Sequence, residues 1–189
     1  IGHQQLSARF IVLATGAVPM QLPIEGAQFL VTSSEFMELD RLPRRIIFIG
    51  GGFISFEFAH FAVRLGPTDT QCTILEARPH PLGPFDQEMV GLLTEASATE
   101  GIDIHCDVDV TTIEKADRTF TVTTKDGRQL ESDLVVHGAG RSADIDDLNL
   151  KKAVVESAQG GITVDEKMAT TNPHIYAVGD CAATVQLAR

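Results

Sequence analysis

Hydrophobic positions in this chain fall into short blocks separated by glycine and proline, and the period of the blocks changes along the sequence. Residues 9–14, RFIVLA, form a continuous apolar run that predicts a strand covered on both faces, closed by Thr15-Gly16, where the backbone can turn sharply. Pro19 and Pro23 punctuate an extended linker. Ser33-Ser34-Glu35 reads as the start of a helix into FMEL, and Leu42-Pro43 closes it, which places a composition boundary near Pro43. From Arg45 the order is strand (46–49), glycine turn (Gly50-Gly51-Gly52), apolar helix (53–65), turn (Gly66-Pro67) and strand (72–75), a βαβ unit of about 30 residues. The helix FISFEFAHFAVRL is apolar nearly all round, so it should be buried on more than one side.

Asp86 then marks an N-cap, with Glu88 in the first turn of a helix that runs through MVGLLTEASATE to Gly101, and a strand follows at 102–105. Here the period becomes two. VTTIEK, TFTVTTK and RQLES are short strand-like runs, the last two joined by Asp126-Gly127, and they predict an antiparallel meander inserted in an α/β unit. LVVHGAGR is another buried strand ending in glycines, and GGITVDE and HIYAVGD supply two more strand-like runs.

Composition narrows the class. With 43% hydrophobic and 22% charged residues in 189, the chain has room for one globular domain or slightly more. No run approaches the ~18 apolar residues of a membrane span, and IGHQQLSARF lacks the features of a secretory signal, so a soluble, cytoplasmic protein with no membrane partner is expected. The balance of 15 Lys+Arg against 26 Asp+Glu gives a net charge of -11, the wrong sign for gathering nucleic-acid phosphates. A small phosphorylated cofactor stays open, because a helix N-terminus holds phosphate without side-chain cations. Cys72, Cys106 and Cys181 have neither zinc nor redox-pair spacing and read as free thiols; no metal site is expected.

The chemistry concentrates at Gly50-Gly51-Gly52-Phe53-Ile54-Ser55, a G-x-G-x-x-G pattern with serine in the third glycine's place. The first glycine of such a loop permits the tight turn, the second admits a pyrophosphate, and the third lets helix and strand pack closely, a task a small serine can keep. The loop follows an apolar strand and opens a helix. Glu76 ends the next strand about 20 positions after Ser55, where an acidic residue accepts the ribose hydroxyls of a dinucleotide. That carboxylate favours NAD(H) over NADP, since it would repel a 2′-phosphate; Arg78 stands on the other side of the choice. Glu57, His60 and Arg64 form one stripe of the helix, readable as a solvated face. Glu57 in the second turn also lies close to where a bound nicotinamide would extend beyond the pyrophosphate.

With these runs in view the chain resembles the flavin-dependent pyridine nucleotide-disulfide oxidoreductases, the group that includes glutathione reductase, dihydrolipoamide dehydrogenase and mercuric reductase. Four segments carry the likeness: FIVLATGAVP, IIFIGGGFISFEFAHFAVRLG, LVVHGAGRSAD and GGITVDEKMATTNPHIYAVGD. The resemblance implies an α/β fold: a Rossmann-like NAD-binding domain, its parallel sheet carrying an inserted antiparallel β-meander, flanked by partial FAD-domain segments. It implies a division into 1–43 (end of a first FAD-domain half), 44–160 (NAD(P)-binding domain) and 161–189 (start of a second FAD-domain half).

The resemblance assigns Thr15, Gly16, Arg141, Gly179 and Asp180 to FAD, and Gly50, Gly51, Gly52, Phe53, Ile54, Glu57, Glu76, Ala139 and Gly140 to NAD(H). Glu57 takes a supporting catalytic part, pairing in a complete protein with a lysine next to the redox cysteines. The implied reaction is hydride transfer from NAD(P)H to FAD and on to a small disulfide, in a parent expected to be a homodimer. The chain itself is expected to be a fragment that binds NAD(H) and is inactive alone. A flavin-dependent NADH oxidase or ferredoxin reductase without the dithiol, and a non-enzymatic NAD-binding regulatory module, are the alternatives. Three departures stand out: Phe53 where such proteins often carry tyrosine, Ser142-Ala143-Asp144 in place of x-Pro-Asn, and a long turn at GPTDTQ, residues 66–71.

Overall fold

A computed structural model describes residues 6–184. In chain order its elements are β1 (Ile11–Leu13), β2 (Ala17–Pro19), α1 (Ser33–Met37), β3 (Arg45–Ile49), α2 (Phe53–Leu65), β4 (Gln71–Leu75), α3 (Gln87–Thr99), β5 (Ile102–His105), β6 (Val110–Ala116), β7 (Thr119–Thr124), β8 (Gln129–Ser132), β9 (Leu134–His137), β10 (Arg141–Ala143), β11 (Ser157–Ala158), β12 (Gly161–Ile162) and β13 (Ile175–Ala177). They group into two compact units, one of residues 21–140 and one built from residues up to Met20 together with those from Arg141 onward.

The unit of residues 21–140 is organised by a four-stranded parallel sheet in the order β5-β4-β3-β9. Strand periodicity splits the residues of β3 between two cores. Ile46 and Phe48 face α2, where Phe56, Phe58, Ala59 and Ala62 meet them, while Ile47 and Ile49 face Val135, Ile113 and Val122 on the other side. Phe48 is fully buried, and removing a side chain of that size from water contributes roughly 2–3 kcal/mol. The second face is covered by the antiparallel meander β6-β7-β8. Its last hairpin turns at Asp126-Gly127, with Gly127 at φ 85° and the Asp126 carboxylate accepting from Arg128 Nε at 2.7 Å.

Residues 21–43 pack with this unit, although the composition shifts at Pro43. Val31 donates to the Val135 carbonyl at 2.9 Å and accepts from the His137 amide at 2.8 Å, which extends the edge of β9. Thr32 and Glu35 then form a reciprocal capping box that starts α1, and the short helix delivers Phe36 onto Phe58, stacked at 4.7 Å, and near Phe48 at 6.0 Å.

Helix α2 is covered less completely than its apolar sequence predicts. Ser55, Phe56, Phe58, Ala59 and Ala62 are buried, but Phe61 is 43% and Leu65 77% exposed. The stripe read as a solvated face instead meets α3 in part: His60 Nε2 lies 3.0 Å from Ser97 Oγ, and Arg64 pairs with Glu100 at 3.5 Å. Helix α3 starts where Asp86 predicts, its carboxylate accepting from the Glu88 and Met89 amides at 3.1 Å, and ends before Gly101 at φ 88°.

In the other unit β1 pairs with β13 in parallel, β2 with β10 antiparallel, and β11 with β12 antiparallel, over a core of Leu150, Val155, Ile162, Ile175, Ala177 and Cys181. Strand β1 departs from the sequence reading: Ile11 and Val12 are exposed. Among the described residues β13 is its one strand partner, and of β1 it is Leu13 that packs on the core of this unit, on Ile162, Ile175 and their neighbours. No helix among the described residues is long and apolar enough to cross a membrane.

Candidate functional site

In the strand order β5-β4-β3-β9 the chain steps outward from β3 in one direction and later returns to its other side at β9. The carboxyl ends of β3 and β9 therefore flank a topological switch point, where ligands of open α/β sheets bind. The glycine run after β3 and Gly138-Ala139-Gly140 after β9 meet there. A Cβ on Gly50, which sits at φ 99°, would stand 2.3 Å from Ala139 Cα, so the approach of the two loops excludes any side chain at that position.

The first turn of α2 adds the chemistry. Its N-cap is Gly52, and no side chain caps it. A helix N-terminus of this kind carries orphan N–H donors and the positive end of the helix dipole, the combination that holds a phosphate through backbone groups. A Cβ on Gly51 would stand 2.9 Å from the Glu76 carboxylate and 3.0 Å from Pro81, so a side chain there would displace the Glu76 carboxylate.

Glu76, the residue after β4, reaches the same place. One carboxylate oxygen accepts from the Gly51 amide at 2.6 Å and the other from the Arg78 amide at 2.9 Å. The Gly51 carbonyl in turn accepts from the Leu82 amide at 2.8 Å, tying the 79–84 segment to the glycine turn. Cys106, which follows β5, is half-buried nearby; burial pushes its thiol up, and the Glu76 and Asp107 carboxylates push the same way.

The structure thus brings Gly50, Gly51, Gly52, Phe53, Ile54, Glu76, Ala139 and Gly140 to one end of the parallel sheet, with Glu57 half-buried in the second turn of α2. Arg78 is exposed two residues beyond Glu76. Two residues that the sequence reading did not place in the loop contacts also belong here. Gly138 lies under Ser55, whose hydroxyl donates to the Gly50 carbonyl at 2.5 Å. The signal for Gly138 was its place in H-G-A-G after a buried strand; for Ser55 it was the substitution of the third motif glycine.

The other assigned residues lie in the second unit. Leu13 pairs with Ala177 and accepts from the Val178 amide at 2.9 Å, so Thr15-Gly16 and Gly179-Asp180 leave the carboxyl ends of adjacent parallel strands. Gly16 and Gly179 have φ of 76° and 72°, and nothing lies within 4 Å of where their Cβ would stand. Asp180 is buried in a single 3-10 turn. Thr15 Oγ donates to the Asp144 carbonyl at 2.6 Å, and Arg141 donates to the Ala17 carbonyl while its buried Nε meets no protein acceptor.

Comparison with known proteins agrees with this geometry. Residues 2–189 match the family profile described as pyridine nucleotide-disulphide oxidoreductase. The chain is similar to glutathione reductase of Burkholderia cepacia (37% identity, 96% of this chain and 40% of that protein) and to trypanothione reductase of Trypanosoma congolense (34% identity, 97% and 38%). Among solved structures it resembles the Cu(II) complex of the HOCl-induced flavoprotein disulfide reductase RclA from Escherichia coli, with TM-score 0.89, 26% identity, and coverage of 98% of this chain and 43% of that one. A ferredoxin reductase from Rhodopseudomonas palustris matches with TM-score 0.82, 29% identity and coverage of 94% and 45%. The chain spans about two fifths of the length of these relatives. A profile match over nearly every residue, on a fold with glycine loops at the switch point, has one reading: this chain belongs to the pyridine nucleotide-disulphide oxidoreductase family.

Proposed function

We propose that this chain is the nicotinamide-dinucleotide-binding portion of a flavoprotein oxidoreductase that passes hydride from NAD(H) to FAD and on to a disulfide. The observation that carries the reading is the meeting of three features at one sheet end: a turn that admits only glycine at position 50, an α2 N-terminus without a side-chain cap, and a carboxylate after β4. In this reading Gly50, Gly51, Gly52, Phe53 and Ile54 border the pyrophosphate: the Gly50 and Gly51 amides are spent on the Leu75 carbonyl and Glu76, and the α2 N-terminus supplies the donors. Glu76 accepts the adenosine ribose hydroxyls and disfavours a 2′-phosphate, and Ala139, Gly140 and Glu57 border the nicotinamide end.

The residues proposed for FAD fit a bound group on their own terms. Gly16 and Gly179 leave room beside positive-φ backbone, and the buried Arg141 Nε has donor capacity to spare. Thr15 and Asp180 stand at the same strand ends. When bound, the flavin supplies the two-electron relay between nicotinamide and disulfide. The division expected from the resemblance shifts at both borders, since 21–43 pack on the α/β unit and 141–160 with the other; we assign the NAD domain to residues 21–140 and parts of the FAD halves to 1–20 and 141–189, in a cytoplasmic, homodimeric parent.

The fold similarity to a ferredoxin reductase supports a second reading, in which the parent uses flavin without a dithiol. Calorimetric titration of the chain with NADH and NADPH tests the nucleotide site. NADH should bind in preference, and Glu76→Ala should weaken it roughly 10- to 100-fold by removing a charged acceptor. Tighter NADPH binding overturns the coenzyme choice, and binding of neither nucleotide overturns the function.

A further inference from the structure

The Gly50–Gly51 peptide group is held at both ends by side chains. Its carbonyl accepts from Ser55 Oγ at 2.5 Å, and its amide donates to Glu76 at 2.6 Å. Rotation of that peptide plane would break both bonds, so its orientation is set before any ligand arrives. Ser55 is fully buried on the inner face of α2 and has a second contact of consequence: a Cβ on Gly138 would stand 1.8 Å from its Oγ. The hydroxyl thus occupies the space a side chain at 138 would need, and the two loops at the switch point are fitted to each other through one oxygen atom.

We propose that Ser55 is a positioning residue for the nucleotide loop: its hydroxyl orients the Gly50–Gly51 peptide and seats it against Gly138, so that the N-terminus of α2 faces the pyrophosphate. This rests on the proposed nucleotide site and adds to it a residue that touches no ligand. The third motif position otherwise serves only close packing between helix and strand, and a glycine or alanine there supplies no hydrogen bond. Serine at 55 and glycine at 138 are two halves of one fit.

The same geometry separates a positioning role from a packing role. Ser55→Ala leaves the buried Gly50 carbonyl without its donor while opening the space above Gly138. Gly138→Ala alone drives a methyl into the hydroxyl. In Ser55→Ala/Gly138→Ala the methyl takes the place of the hydroxyl, its next neighbours being the Gly50 oxygen and residue 55 Cβ at 3.2 Å, a fit that asks for a shift of a few tenths of an ångström.

The experiment is calorimetric titration of the four chains with NADH, with thermal melting recorded in parallel. Gly138→Ala should melt well below the parent chain, and the double variant should recover most of that loss. Affinity should not recover with it: Ser55→Ala and the double variant should both bind NADH roughly 3- to 10-fold more weakly, the effect of one hydrogen bond. Should Ser55→Ala fail to fold, Ser55→Cys keeps the branch but offers only a weak donor, and should show the same weakening. Parental affinity in Ser55→Ala, or affinity that returns with melting temperature in the double variant, overturns the inference and leaves the nucleotide site standing. Failure of the parent chain itself to bind NADH overturns both.

Discussion

Phe36→Ala tests whether residues 21–43 are structurally part of the α/β unit. Phe36 is 5% exposed, stacked on Phe58 of α2 at 4.7 Å with an interplanar angle of 14°, and tilted against Phe48 of β3 at 6.0 Å. Truncating a buried phenylalanine costs about 3–5 kcal/mol, lost ring contacts included, because the surrounding structure closes only part of the cavity. With a urea slope of about 2 kcal/mol/M, a loss of 4 kcal/mol moves the unfolding midpoint down by about 2 M. The chain has no tryptophan and one tyrosine, so far-UV circular dichroism is the suitable probe. The expected record is a single transition of the α/β unit, displaced as a whole. A displacement worth less than about 1 kcal/mol would refute the reasoning, and would make α1 an appendage whose packing does not support the sheet.

Two further outcomes follow from buried titratable groups. Ser97 Oγ donates to the Leu93 carbonyl at 2.7 Å, so it accepts from His60 Nε2–H, which leaves the buried Nδ1 bare, with no donor or acceptor facing it. Burial first, and then Arg64, hold the His60 pKa below its ordinary 6.5, with Glu100 opposing. The unfolded chain therefore binds this proton more readily, and the contribution to stability present above pH 6.5 is lost as pH falls through the folded-state value. Chemical denaturation across pH 5–8 should show that loss in the parent and lack it in His60→Gln; identical profiles would discount the histidine. The Cys72 thiol is pushed up to about 12 by burial, so a thiol reagent at pH 8 should leave it unmodified until the unit unfolds; prompt labelling of Cys72, read by peptide mass, would contradict its place beneath α2.

Much of the α/β unit was legible because its signals are local. The triple glycine, the apolar run and Gly66 bound α2 at 53–65, and Asp86 and Gly101 bound α3 to within a residue. Thr32-Ser33-Ser34-Glu35 also spells a capping box, and the cap is Thr32 rather than the serine beside it. What the sequence did not disclose depends on distant partners. Apolar content predicts burial for Ile11 and Val12, but burial needs a covering layer, and it is Leu13 of this strand that meets the core of the unit. The pairing of Arg141 with Pro19 joins segments with no shared pattern. At the switch point Glu76 and the glycines were recognisable by spacing, whereas the fit of Ser55 to Gly138 exists only once β9 lies beside β3.

The way the two units share the chain sets an order of events during synthesis. Residues 21–140 are contiguous, so the α/β unit has all its strands as soon as β9 has left the ribosome. The other unit is a split host with the first as its guest: the Leu13 carbonyl meets the Cys181 thiol across 168 positions of chain. At about 5–20 residues per second, β1 waits on the order of 10–30 s for its parallel partner β13. That waiting strand edge is where a nascent chain of this kind is open to chaperones and to mispairing with other chains.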